Sequence, residues 1–207
     1  MTLNDLSKSI YVINLKHRED RKVHIISELK KIECIEYDLI EAIDGNTIEN
    51  KTSVKNGAYG LIKTYFNIYE NWKEKKHGEI LIIEDDCVFV PKFKERLEKY
   101  ISNVPNDWDM LYFGANHNYH MGNKTETINE HCIKLNNSFS AHCILMKNHI
   151  FEELIHLLEK NPVPVDVKLS DLQKKYNAYS PSNKLTSQIP DFSNIENQFV
   201  DYNWLMK

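Results

Sequence analysis

Short unbroken apolar runs alternate along the chain with longer stretches that carry one apolar face. The first run, Ser9-Ile10-Tyr11-Val12-Ile13-Asn14-Leu15, is rich in β-branched residues and lacks polar alternation. That is the pattern of a strand buried on both faces. Polar and basic residues fill positions 16–21, and Val23, Ile26, Leu29 and Ile32 then fall at helical spacing, which predicts a helix burying those four. Tyr37 to Ile40 reads as a second strand, ended by Ala42-Ile43-Asp44-Gly45. Strand, helix and strand within about 35 residues form a βαβ unit.

After a polar stretch from Glu49 to Asn56, the stripe Ala58, Leu61, Ile62, Tyr65, Ile68, Tyr69 and Trp72 predicts a helix over Gly57 to Lys76, stopped near Gly78. Glu79-Ile80-Leu81-Ile82-Ile83 is the clearest central strand; Glu84-Asp85-Asp86 follow at once, and Cys87-Val88-Phe89-Val90 resumes the apolar run. Phe93 to Ile101 predicts a short amphipathic helix and Met110 to Gly114 a buried strand. Asn116 to Glu130 is polar and predicts a mobile loop, which at about 15 residues is long enough to suggest a function. Phe139 to Met146 reads as a further strand, Phe151, Leu154, Ile155 and Leu158 mark a helix, and Pro162-Val163-Pro164-Val165-Asp166 makes a stiff turn. Residues 180–207 turn polar, are expected to be mostly irregular, and end with the aromatics Tyr202 and Trp204. No repeat or linker interrupts the pattern. The expectation is one α/β domain over residues 1–207, a three-layer sandwich around a mostly parallel central sheet.

Composition narrows the function classes. The 207 residues are 42% hydrophobic and 27% charged, an ordinary globular balance with enough chain for a full core. Net charge is −4, and the lysines are interleaved with glutamates, so no phosphate-facing basic stripe exists and no nucleic-acid partner is expected. No stretch approaches the roughly 18 to 20 apolar residues of a membrane span, and the N-terminus lacks an apolar signal core. Cys34, Cys87, Cys132 and Cys143 show no metal-type pairing, which favours a reducing, cytoplasmic setting. The histidines, among them His117, His120 and His142, form no HxxxH or HExxH pattern, which argues against a zinc hydrolase.

The chemistry concentrates at the end of the central strand. In open α/β sheets ligands sit beyond the carboxyl ends of the strands. Three consecutive carboxylates there repel one another, and a divalent cation relieves that cost. Mg²⁺ or Mn²⁺ takes one or two protein carboxylates together with substrate phosphate oxygens. On extended backbone Glu84 and Asp86 share one side while Asp85 points elsewhere, for instance to a ribose hydroxyl. The plain alternative is a solvated acidic turn. A phosphoesterase or nuclease would need further converging carboxylates and a basic groove, and neither is evident.

A resemblance adds to this reading. Ile10-Tyr11-Val12-Ile13-Asn14-Leu15 followed by Arg18-Glu19-Asp20-Arg21 resembles the opening of glycosyltransferase family 25, which includes lipooligosaccharide and procollagen galactosyltransferases. Ala42-Ile43-Asp44-Gly45, Leu81-Ile82-Ile83-Glu84-Asp85-Asp86 and Trp108-Asp109-Met110-Leu111-Tyr112-Phe113-Gly114 are similar to later motifs of that family, in the same order. Pro164-Val165-Asp166 and the later Tyr179, Pro181 and Gln188 resemble its C-terminal segment. One segment departs: the family pattern near G-E-I-G-C-x-x-S-H is here Gly57-Ala58-Tyr59-Gly60-Leu61-Ile62-Lys63-Thr64-Tyr65, without the carboxylate or the imidazole.

The resemblance implies a GT-A-like fold and inverting transfer of a hexose from a UDP-sugar, UDP-galactose or UDP-glucose, to a hydroxyl of a glycan or a hydroxylated lysine. It implies Mn²⁺ or Mg²⁺ on Glu84 and Asp86, and Asp85 at the donor. Asn14 and the backbone after Leu15 would orient uracil or ribose. Arg18 and Arg21 would meet the diphosphate, or else are surface charges on a helix. Asp44 would bind nucleotide or acceptor, or simply make the turn with Gly45. Asp166 would be the general base, or an N-cap for the helix that follows. The altered segment from Gly57 to Tyr65 leaves a second reading, a binding module with the fold and without turnover.

Overall fold

The computed structural model describes residues 1–75, 78–196 and 198–202. In chain order the strands are β1 (Ser9–Leu15), β2 (Asp38–Ala42), β3 (Ile80–Glu84), β4 (Cys87–Phe89), β5 (Met110–Tyr112), β6 (Glu126–Asn129), β7 (Cys132–Lys134), β8 (Cys143–Met146), β9 (Ala178–Pro181), β10 (Thr186–Gln188), β11 (Asp191–Ser193) and β12 (Gln198–Val200). The helices are α1 (Leu3–Leu6), α2 (Glu19–Lys31), α3 (Asn56–Lys75), α4 (Phe93–Ile101), α5 (Asn148–Lys160) and α6 (Val165–Leu172), with one 3₁₀ turn at Tyr119–Met121.

Eight strands form the central sheet in the order β2-β1-β3-β8-β5-β9-β7-β6. β1 pairs in parallel with β2 and β3, and β5 with β9, whereas β8 and β7 run against their neighbours. Six strands therefore point one way and only β7 and β8 oppose them, counted from those pairings. Alternate residues go to opposite faces, as the two-residue period of a strand requires. Tyr11, Ile13, Ile80, Ile82, Ile144 and Met146 pack with α3, α5 and α6. Ile10, Val12, Leu81, Ile83, Cys143 and Leu145 pack with α2 and α4. Three layers result, with β3 buried at its heart. All four cysteines are buried free thiols in the α2/α4 layer.

Two glycines bring β2 and α3 together beside the ligand end of the sheet. A Cβ on Gly45 would lie 1.7 Å from the Asn56 carbonyl oxygen, and one on Gly60 would lie 2.4 Å from that of Ile43. Thr64 secures the same crossing: its Oγ1 accepts the Ile43 N–H at 2.9 Å and donates to the Gly60 carbonyl at 2.9 Å.

Several expectations need correction. The second strand begins at Asp38 and runs to Ala42. The strand expected from Phe139 starts only at Cys143; Phe139 instead makes an isolated bridge to Asn116. Positions 116–130 are not one loose loop, because His117 and Asn118 are buried and the 3₁₀ turn and β6 lie within the stretch. The C-terminal segment carries β10, β11 and β12. Lys76 and Trp204 lie outside the described residues.

The largest correction concerns α2. Val23 is 68% exposed and Ile26 39%, whereas Ile25 is fully buried together with Arg21, Glu28 and Leu29. Apolar spacing misplaces the face because two charged residues belong on it. Glu28 Oε2 accepts the Phe89 N–H of β4 at 3.0 Å, and Arg21 reaches the acidic cluster. Ile25→Ala should therefore cost about 2–5 kcal/mol of stability, and Val23→Ala no more than about 0.5 kcal/mol. Denaturant unfolding checks this, and equal costs at the two positions would contradict the assigned face.

Candidate active site

Residues from the carboxyl ends of β1, β2 and β3 meet the start of α3, the segment 139–141, the start of α6 and the β11–β12 hairpin around one cavity of about 550 Å³. Leu15, Arg18, Asp44, Glu84, Asp85, Asp86 and Asp166 all line it, although they span most of the chain. Asn14 stands behind the wall, buried; its Nδ2 donates to Asp85 Oδ2 at 2.7 Å and to the Arg18 carbonyl at 3.0 Å. It holds Asp85 and the turn after β1.

The three consecutive acids diverge in their surroundings. Asp85 is turned toward Asn14 and Arg21, with Arg21 Nη1 donating to its Oδ1 at 3.1 Å. Asp86 Oδ2 accepts from Gln188 Nε2 at 3.1 Å and Arg21 Nη1 at 3.4 Å, while its Oδ1 is buried with no hydrogen-bond partner. Burial pushes the Asp86 carboxyl up to about 6, against the opposing pull of Arg21. Burial, and then the charges of Asp86, Asp85 and Asp166, hold Glu84 well above the usual carboxylate range. Its backbone N–H donates to the His142 carbonyl at 2.9 Å, which ties the end of β3 to β8.

Arg18 and Arg21 are not surface charges. Both pair with Asp191 on the β11–β12 hairpin, Arg21 through Nε at 3.0 Å. Both also donate to the Phe192 carbonyl, at 3.2 and 3.1 Å, and Arg18 reaches Asn194 Oδ1 at 3.1 Å. Lys55 and Glu196 form a further ion pair at 2.6 Å between the start of α3 and the hairpin. The hairpin is thus fastened over the cavity by charge.

Asp44 lines the cavity and also makes the turn, its Oδ1 accepting the Asn46 N–H at 2.9 Å. Asp166 is not an N-cap, since α6 starts at Val165 and its cap is Pro164. It lies in the first turn, where the helix dipole favours a carboxylate, and its Oδ1 accepts the Val167 N–H at 2.9 Å. Burial raises its affinity for a proton, and nearby backbone N–H groups oppose that rise. His117 and His142 are buried, with burial pushing them down to about 4 and about 3, so both rings are neutral. Among the described residues, no group of three or more His, Cys, Asp or Glu side chains is arranged to hold a metal ion by itself. Glu84 and Asp86 are both among the carboxylates that line the cavity.

Sequence reasoning missed Asp191 as the shared partner of the two arginines, and it missed Ser140 in the cavity wall. It quoted Gln188 without the contact to Asp86. The available signal was electrostatic: acids after β3 require cations, and Arg18 and Arg21 follow β1, the strand beside it.

Residues 7–65 and 64–169 match the profile of glycosyltransferase family 25 (LPS biosynthesis protein). The chain belongs to glycosyltransferase family 25. Among its relatives is the procollagen lysyl hydroxylase and glycosyltransferase of Acanthamoeba polyphaga mimivirus, 32% identical over 162 residues, which cover 63% of this chain and 17% of that protein. Human procollagen galactosyltransferase 2 is 33% identical over 127 residues, 51% of this chain and 20% of that one. The mouse protein named inactive glycosyltransferase 25 family member 3 is 24% identical over 51% of this chain and 21% of its own length. The chain thus matches only about a fifth of the length of these curated relatives. A solved glycosyltransferase involved in the glycosylation of the major capsid of PBCV-1 superposes with a TM-score of 0.52 at 9% identity, over 91% of this chain and 95% of that one. It shares the α/β fold.

The raised Asp86 carboxyl has a consequence for stability. A folded-state value above the unfolded one stabilises the fold at low pH, and that contribution is lost as pH rises through about 6. In protein stripped of divalent cations, Asp86→Asn should therefore raise the melting midpoint by several degrees at about pH 7.5, and the gain should shrink toward about pH 5. A variant less stable than its parent at the higher pH would contradict this.

Proposed function

We propose that this family 25 domain transfers a hexose from a UDP-sugar, UDP-galactose or UDP-glucose, to an acceptor hydroxyl on a glycan or a hydroxylated lysine, with inversion at the anomeric carbon. The observation that carries the reading is the convergence of Leu15, Arg18, Asp44, Glu84, Asp85, Asp86 and Asp166 on one cavity, beside an unpartnered buried oxygen of Asp86. At about 550 Å³ the cavity falls within the size range of small-molecule sites.

A buried carboxylate oxygen without a partner is costly, and a hard cation removes that cost. Glu84 and Asp86 accordingly fit Mn²⁺ or Mg²⁺, which when bound supplies Lewis-acid stabilisation of the charge growing on the departing diphosphate. The chain's own residues do the rest. Arg21 and Gln188 hold Asp86 by Oδ2 and leave the buried Oδ1 without a partner. Arg18 offers a planar fork for phosphate oxygens once it gives up part of its bonding to Asp191 and Asn194. Asn14 and Leu15 shape the nucleoside end, with Asp44 and the crossing of β2 and α3 beside them. Asp166 takes the proton from the acceptor hydroxyl as its oxygen attacks the anomeric carbon, and the bond to the UDP oxygen breaks with its electron pair leaving on UDP.

A second reading, nucleotide-sugar binding without turnover, draws on Ala58 in the cavity wall and on Thr64, whose hydroxyl is committed to the backbone of Ile43 and Gly60. UDP release from UDP-sugars with Mn²⁺ separates the two readings: UDP binding without any release favours the module.

Two variants test the assignment. Asp86→Ala should abolish metal-dependent UDP-sugar binding in calorimetry while the melting transition is kept, and unchanged affinity would remove the cation from Asp86. Asp166→Asn should keep donor binding and lose transfer by about 10²–10⁴-fold. Full transfer by that variant would remove Asp166 as the base.

A further inference from the structure

The β11–β12 hairpin walls the cavity, yet the apolar core does not hold it there. Among the described residues, no side chain beyond Leu185 joins either apolar cluster. The hairpin's aromatic residues, Phe192 and Phe199, pair across its two strands and stay 42% and 69% exposed. Its attachments are polar and fall at two places. At its base, Asp191 meets Arg18 and Arg21, and the Phe192 carbonyl accepts from both guanidiniums. At its tip, Glu196 pairs with Lys55 at 2.6 Å, and the Asn194 carbonyl oxygen rests on the first turn of α3, where a Cβ on Gly57 would stand 2.4 Å from it.

The chain before the hairpin is fixed to the body of the protein. β10 pairs with β4, and the Ile189 N–H donates to the Asp86 carbonyl at 2.9 Å. Pro190, which has no N–H to donate, separates this anchored stretch from β11.

The partners at the base are unequal. The Arg18 and Arg21 side chains are only 13% and 11% exposed and keep other acids, Asp20 for Arg18 and Asp85 and Asp86 for Arg21. The Asp191 side chain is 30% exposed. Its departure returns a carboxylate to water and uncovers neither apolar cluster. Two largely buried guanidiniums deprived of it are costly unless another anion takes its place. A diphosphate is such an anion, with several oxygens for planar guanidinium forks.

We propose that Asp191 stands in for the donor's diphosphate on Arg18 and Arg21, so that the β11–β12 hairpin is an autoinhibitory strap which the diphosphate displaces. This rests on the cavity being the donor site. Binding is then an exchange of anions: Asp191 keeps both guanidiniums paired until phosphate oxygens replace it. The measured affinity is lowered by the share of molecules whose strap is closed. A lid closes over its ligand, whereas this strap opens for it.

Asp191→Asn provides the test. Its amide oxygen can still accept the Phe192 N–H that Asp191 Oδ1 accepts at 2.7 Å, while the charge shared by the arginines is gone. UDP affinity, read by calorimetry with Mn²⁺, should rise about five- to fiftyfold. Glu196→Gln releases only the tip and should raise it about two- to fivefold. In the parent, UDP should speed amide hydrogen exchange at Phe192, Ser193 and Phe199, because a two-stranded hairpin cut from its anchors is marginal in water. The exchange readout separates displacement from the plain loss of a negative charge, which strengthens anion binding without loosening the hairpin. If Asp191→Asn does not fold, Glu196→Gln and the parent's exchange decide. UDP that binds folded Asp191→Asn no tighter than the parent, or that fails to speed exchange in the hairpin, would overturn the strap and leave the donor site standing. Absence of UDP binding in both proteins would overturn the donor-site reading and the strap with it.

Discussion

Like charges crowded at the end of a buried strand are the constraint on which the rest of this molecule turns. Glu84, Asp85 and Asp86 follow one another where β3 leaves the sheet, and Asp166 adds its field from α6. In a partly buried setting such repulsion is far costlier than in water. Arg21, drawn inward on α2, offsets Asp85 and shares Asp86, while Arg18 and Arg21 together meet Asp191. The compensation is incomplete, because Asp86 and Glu84 still hold their protons more tightly than ordinary carboxylates do. On the proposed reading, a cation accompanied by a negatively charged ligand relieves what remains.

The same constraint explains which features were legible in the sequence. The stripe from Ala58 to Trp72 and the run from Phe93 to Ile101 are set by apolar burial alone, and the observed helices α3 and α4 match them closely. The acid triplet after a continuous apolar strand was visible for the same reason. On α2, burial is shared with charge: Arg21 and Glu28 face inward because they have partners in the turn after β3, on β4 and on the hairpin, far away in sequence. No local periodicity records a partner at position 85, 89 or 191. The β11–β12 hairpin was missed likewise, since its short strands are held by ion pairs and carry little apolar pattern. The apolar pattern predicts a strand from Phe139 to Met146, but the left-handed backbone at Ser140 interrupts it before β8.

Family membership and geometry bear on different halves of the reaction. The proposed donor end is drawn from β1, β2, β3 and the arginines, inside the stretch that matches the family profile. Gln188 and the hairpin contribute to the same wall from beyond that stretch. Thr64, which stands where the family pattern has serine, is fully used in joining β2 to α3. Tyr65 is buried in the core beneath Glu84 and Asp166, with its hydroxyl unpartnered. Thr64 and Tyr65 have thus been absorbed into packing, while Ala58 stays in the cavity wall with the acid triplet.

The most direct test of the central claim is a crystal of the protein soaked with Mn²⁺ and UDP, read by anomalous scattering. The account predicts a single strong manganese peak within coordination distance of Asp86 Oδ1 and the Glu84 carboxylate, with the diphosphate completing its shell. UDP bound in the cavity with no peak beside these two side chains, or manganese bound elsewhere on the protein, would contradict it.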